Sequence, residues 1–318
     1  LKALFEVRDG DNLENFKGKV TKADSYSLTV ENISIDNIKS LNLPDKDGKI
    51  TVNNISYSYD SWEAQVDAQG NIKSVTFNLS KDKAIADPEK TVAEGYLLNA
   101  GSAINARGIP YYMTQLNEFV RNFSEMFNQI ESKGQNLNGD TPPTFFEAIT
   151  NTAKVYDFSE SEAYSKLPDG QTATINSSSN TYYRMTAANF SVNKDVMNDV
   201  SLFATSTDYV KTDSCDIVDE LKKLQSEKTV YRGDKAESFL ETIISNVSVD
   251  TEKAETYNKL YSNLEQTIAN QRTSVSGVDE DEEALNLVKF QYSYNMASKI
   301  ISVMNQMLDK LINDTGVA

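Results

Sequence analysis

From Leu287 to Leu311, eight residues (Leu287, Phe290, Tyr294, Ala297, Ile301, Met304, Leu308 and Leu311) recur at alternating spacings of three and four. This is an unbroken a/d heptad seam, about 36 Å long at 1.5 Å per residue. Ile300, Val303 and Met307 widen the apolar stripe. A strand repeats every two residues and cannot gather these positions on one face, so the segment reads as a long helix. In water such a stripe needs a partner helix, and no equally long companion is obvious within the 318 residues. The expected partner is sequence outside this chain or another subunit. Upstream, Asp279 and Glu282 form an acidic N-terminal box, and Glu280, Asp281 and Glu283 add negative charge where the helix dipole favours it. The same acids raise the question of a bound cation, but helix capping accounts for all of them.

The rest of the chain has two textures. Residues 11–106 carry short β-prone runs separated by turn signals. Tyr26 to Val30 is one run, and Ile50-Thr51-Val52 follows the turn Asp45-Lys46-Asp47-Gly48. Ile55, Tyr57 and Tyr59 alternate, then Trp62, Ala64 and Val66, and, after the turn Gln69-Gly70-Asn71, Val75, Phe77 and Leu79. Asp-Gly and Gly-Asn between alternating runs are hairpin signals, which predicts a small antiparallel β domain. Pro110 suits a first helical turn, and Tyr112, Leu116, Phe119, Phe123, Met126 and Ile130 follow at spacings 4, 3, 4, 3, 4 until Gly134 ends the helix. Residues 134–212 hold Gly139-Asp140, Pro142-Pro143, Asp169-Gly170 and Ser177-Ser178-Ser179, which predict loops, short strands and a short helix. Ile217, Val218, Leu221 and Leu224 resume helical spacing. Phe239, Ile243 and Val247 continue it, and Tyr257, Tyr261, Leu264 and Ile268 read as the next helix.

Composition removes much of enzymology. The chain has no histidine and a single cysteine, Cys215. Ser–His and Cys–His nucleophile pairs, His-liganded metals, intrachain disulfides and Cys-rich zinc sites are therefore excluded. With 31 Lys and Arg against 47 Asp and Glu the net charge is −16, which disfavours nucleic acid and anionic membrane surfaces. No run approaches the roughly 18 apolar residues of a membrane span. Leu1-Lys2-Ala3-Leu4 shows neither a signal peptide nor an initiator Met, so the chain reads as a fragment, compatible with the cytosol or with export without oxidative folding. No catalytic residue, cofactor or metal is expected. Asp45-Lys46-Asp47-Gly48 lacks a calcium loop's anchors, because Leu43 and Asn54 stand where carboxylates would be needed. Tyr57, Tyr59 and Trp62 are the one candidate ligand platform, for a sugar, against the competing reading that they form the core face of a small sheet.

Several stretches together resemble the flagellar hook-associated protein 1 family. They are Gln271-Arg272-Thr273-Ser274-Val275-Ser276-Gly277-Val278-Asp279, Phe290-Gln291-Tyr292-Ser293-Tyr294, Ala297-Ser298-Lys299-Ile300-Ile301 and the ending Met307-Leu308-Asp309-Lys310-Leu311-Ile312. Leu1 to Asp9 is similar to the family's Leu-x-x-Leu-x-x-x-Arg-Asp helix. Leu116 to Asn128, Leu137-Asn138-Gly139, Phe145-Phe146 and Phe190-Ser191-Val192-Asn193 resemble further family elements. The resemblance implies a structural, non-enzymatic α+β protein joining hook to filament: an elongated, discontinuous helical rod domain with an inserted small antiparallel β domain. Residues 1–10, 107–150 and 213–278 would form the rod, 11–106 the insert, 151–212 an irregular β-containing segment and 279–318 the heptad helix. The family's N-terminal region, which would supply the seam's partner, is not in this sequence. Implied partners are the hook protein, the second junction protein, further copies in a ring, and an export chaperone on the C-terminal helix. The implied location is the extracellular flagellum, reached by the flagellar type III route without a cleaved signal peptide. The alternative is a flagellin-like or surface-appendage binding module, an adhesin that uses the 11–106 insert.

Overall fold

The computed structural model describes residues 7–315, apart from 9, 81–84, 86–87, 89–91, 93, 151–153, 157, 159–160, 162–163, 179–180, 211–213 and 232. Leu1 to Glu6 and Asp9 of the family-like N-terminal helix, and Ser179 of the serine turn, lie outside the described residues. The chain divides into two compact units, Leu1–Asp250 and Thr251–Ala318.

In the first unit, β1 (Asp11–Asn12) is followed by β2 (Phe16–Asp24), β3 (Ser27–Glu31), β4 (Gly48–Val52), β5 (Ile55–Val66), β6 (Ile72–Leu79), β7 (Leu97–Ala100) and β8 (Ser102–Ala103). The strands β5-β4-β7-β2-β3-β6 run antiparallel in that order, and β6 pairs back onto β5. Residues 16–100 therefore form a closed six-stranded barrel rather than a simple antiparallel sheet. Closure depends on the length of β5: Tyr59 sits opposite Gly48 of β4 on one edge and Leu79 of β6 on the other. A register shift between Tyr59 and Ser61 resets the alternation there. Tyr57 and Tyr59 before the shift, and Trp62, Ala64 and Val66 after it, consequently all point inward. Asn53 and Asn54 both take positive φ, 48° and 64°, in the two-residue turn between β4 and β5, a hairpin signal the sequence reading passes over. Gly48 is required by packing, since a Cβ there would lie 2.1 Å from the Tyr59 ring.

Beyond the barrel, β9 (Phe146–Ala148) pairs with β11 (Phe190–Val192). Between them in sequence, β10 (Ala173–Asn176) adds to β5 along residues 63–66 and brings Ile175 and Tyr183 into the barrel core. Helix α1 (Ile109–Glu131) has Pro110 in its first turn, as the sequence predicts, and α2 (Lys194–Asn198) is the short helix of the irregular stretch. The stripe Tyr112, Leu116, Phe119, Phe123, Met126 and Ile130 packs against α3 (Asp216–Ser226), the β12 (Thr229–Tyr231)–β13 (Asp234–Lys235) hairpin and the start of α4 (Ala236–Ser276).

The opposite face of α1 is polar and also buried, which amphipathic patterning does not anticipate. There Arg121 donates from Nε to the carbonyl of Met185 at 2.7 Å and from Nη1 to those of Lys39 (2.7 Å) and Leu41 (3.3 Å), beneath the Tyr183 ring. The Lys39 ammonium bonds Glu125 at 2.7 Å, and Tyr164 donates to the same carboxylate. Asn128 exchanges bonds with the backbone of Phe146. This helix is thus the strut that ties the barrel to the loops around it.

Glu131 closes that face. One carboxylate oxygen accepts from the Ala204 N–H at 2.7 Å, whereas Oε2 is buried with no hydrogen-bond partner among the described residues. Burial pushes this carboxyl up to about 7, and the negative end of the helix dipole acts in the same direction. A folded-state value above the unfolded one means the folded chain holds the proton more tightly. Stability should therefore fall as pH rises from about 4.5 to about 7. Glu131→Gln is expected to flatten that slope and to be more stable than the parent at pH 8 by on the order of 2 kcal/mol. Urea denaturation at pH 5 and pH 8 checks this, and parallel parent and variant curves would refute it.

Candidate assembly surface

The sequence reading splits residues 236–276 into two helices; the structure runs them as the single helix α4. Its first turns belong to the first unit, where Ala236, Phe239 and Ile243 are buried. The Tyr112 hydroxyl donates to Asp250 at 2.6 Å, and burial together with that carboxylate raises the hydroxyl to about 12. A heptad register runs through the whole helix, with Leu240, Val247, Ala254, Tyr261, Ile268 and Val275 each seven residues apart. The sequence reading recovers only part of it. Ala254 and the exposed Leu260 carry too little or too isolated an apolar signal to stand out. The periodicity becomes visible once the helix is known to be continuous.

In the second unit α4 ends at Ser276, and Gly277-Val278-Asp279 leads into α5 (Glu280–Thr315). Asp279 Oδ1 accepts the Asp281 N–H at 3.0 Å, so this residue caps α5. Glu280 to Glu283 fill the first turn, with Glu282 at its third position. Every residue of the heptad seam is exposed. Leu287, Phe290 and Tyr294 are 71–74% exposed, Ile301 60%, Met304 55%, Leu308 49% and Leu311 63%, and Ala297 lies between them. The stripe Tyr257, Tyr261, Leu264 and Ile268 on α4 is also in water. Burying a Leu, Ile or Phe side chain is worth roughly 1.5–3 kcal/mol. Exposed apolar surface of this extent marks a site of association.

The aromatic platform does not form. Tyr59 and Trp62 are completely buried and Tyr57 nearly so. The Tyr59 hydroxyl and the Trp62 indole both donate to the Pro44 carbonyl, at 3.2 and 3.1 Å, and Trp62 meets Tyr183 edge to face. The residue-two alternation and the β5 register shift point all three rings into the barrel, leaving no face for a sugar. Asp45-Lys46-Asp47-Gly48 is a turn with Asp47 at positive φ, and Asp45 pairs with Arg184. Cys215 is an exposed thiol preceding α3. Among the described residues no helix is long and apolar enough to cross a membrane.

Residues 269–314 match the family described as Flagellar basal body rod FlgEFG protein C-terminal, a span that takes in the end of α4, the connector and nearly all of α5. Over 215 residues the chain is 24% identical to Flagellar hook-associated protein 1 of Bacillus subtilis (strain 168), covering 65% of this chain and 36% of that relative. The chain thus spans little more than a third of that relative's length. The exposed seam and the matched family segment coincide. In its C-terminal portion the chain is similar to flagellar rod and hook-associated proteins.

Proposed function

We propose that this protein is a structural, non-enzymatic component of the bacterial flagellar axis that joins hook to filament, as its resemblance to hook-associated protein 1 implies. The observation that carries the reading is the α5 seam, apolar over eight heptad positions, exposed, and lying inside the segment that resembles flagellar rod proteins. The seam would bury against an N-terminal helix and neighbouring subunits in a ring, with the hook protein and the second junction protein above and below. Before assembly, an export chaperone would cover the same helix during passage through the flagellar type III apparatus. The barrel would face outward, where added structure costs the assembly little.

Gold-conjugated antibody raised against the protein and applied to intact flagella tests this. A single band where hook meets filament is expected. Label along the whole filament would make the protein a flagellin-like subunit, and unlabelled flagella would refute an axial role and return the barrel to consideration as a binding module.

A further inference from the structure

The three-residue connector and the two heptad registers of the second unit fit together. When α5 is folded back on α4 about Asp279, the a positions of one helix fall opposite the d positions of the other. Ile268 then faces Phe290, Leu264 faces Tyr294 and Tyr257 faces Ile301, while Tyr261 faces Ala297 and Ala254 faces Met304, so five successive layers are apolar and two of them set a large side chain against an alanine. The flanking position agrees independently: Leu260 falls opposite Ile300, two exposed apolar residues outside the main seams (57% and 60%). No like charges oppose each other on either flank, where Glu265 meets Gln291, Lys253 meets Met307 and Arg272 meets Ala284. Two- to five-residue loops are those that join antiparallel helices. Gly277 sits hard against the Thr273 carbonyl, where a Cβ would lie 2.2 Å from its oxygen, and so permits a tight exit from α4.

We infer that the free chain closes α5 onto the second half of α4 as an antiparallel helical hairpin. In this form the chain covers its own assembly surface, and an incoming partner must displace α4. The open arrangement, with both stripes in water, is the assembly-competent one. The inference goes beyond the flagellar reading and stands or falls without it, because it concerns the free chain alone.

Cysteine cross-linking in a Cys215→Ser background tests it. Ala254→Cys with Met304→Cys is the in-register pair, and Ala254→Cys with Ala297→Cys is displaced by one heptad, about 10 Å along the helix. At micromolar protein, a short connector gives an effective concentration of about millimolar. Oxidation should therefore close the in-register pair within the monomer about a thousandfold more than between chains, and leave the displaced pair open. Failure of the in-register pair to close, equal closure of both pairs, or products only between chains would overturn the hairpin. Hydrogen exchange of the unmodified dilute monomer is a second check. Slow exchange over residues 285–304 is expected, and exchange within seconds would refute closure.

Discussion

Ile301→Asp is expected to remove the protein from assembled flagella while leaving the barrel and its helical layer folded. Ile301 is central in the α5 seam and 60% exposed in the chain. The substitution therefore costs the first unit nothing, and its thermal unfolding should match the parent's. Once the seam is packed, however, the carboxylate would sit in a desolvated a/d layer with no cation among the seam residues. An unpaired ion there costs several kcal/mol, and in an assembly of the kind proposed above the penalty recurs at each copy. Loss of incorporation should thus be essentially complete, whereas Ile301→Leu, which keeps volume and polarity, should incorporate normally. Immunoblotting of sheared flagella beside whole-cell extract reads the result. Normal incorporation of the aspartate variant would remove the seam from the assembly mechanism.

Arg121→Ala is expected to cost about 3–5 kcal/mol of stability in the first unit. The guanidinium serves three carbonyls from two different loops, at 2.7, 2.7 and 3.3 Å, and lies beneath the Tyr183 ring. Truncation leaves those carbonyls buried without a donor and opens a cavity between α1 and the barrel. A domain holds only about 5–15 kcal/mol in total, so the variant should unfold at markedly lower urea. Arg121→Lys should recover little, because an ammonium on a flexible stem cannot hold the forked geometry. A loss below about 1 kcal/mol for the alanine variant would show that α1 is not the strut described.

The pattern-bearing parts of the sequence lead directly to the helices. Pro110, the α1 apolar stripe, the Asp279 cap and the α5 heptads are all local signals, written within a turn or two of the residue concerned. Barrel closure is not local. It depends on Tyr59 facing Gly48 and Leu79 at once, and on β7 entering between β2 and β4. Alternation identifies the inward residues but not the partner of each strand. The buried polar face of α1 is invisible for the opposite reason: Glu118, Arg121, Glu125 and Glu131 look like a solvated face until their partners arrive from distant loops. Trp62 shows the same ambiguity in miniature. An aromatic at an alternating position is equally compatible with a binding platform and a barrel interior, and the register shift in β5 decides between them.

The closed barrel also sets a timetable for folding. Its last strand in chain order, β7, lies between two of its first, with Ala100 opposite both Phe16 and Ile50. The hairpins β2–β3, β4–β5 and β5–β6 can form from neighbouring sequence. The wall cannot join until residues roughly 80 apart meet, at about 2 kcal/mol more loop-closure entropy than a ten-residue hairpin requires. A chain delivered end-first through a narrow conduit would emerge as separate ribbons and become a cylinder only after Leu97–Ala100 had cleared the exit. Folding of the barrel in such a delivery is thereby coupled to how much of the chain has arrived.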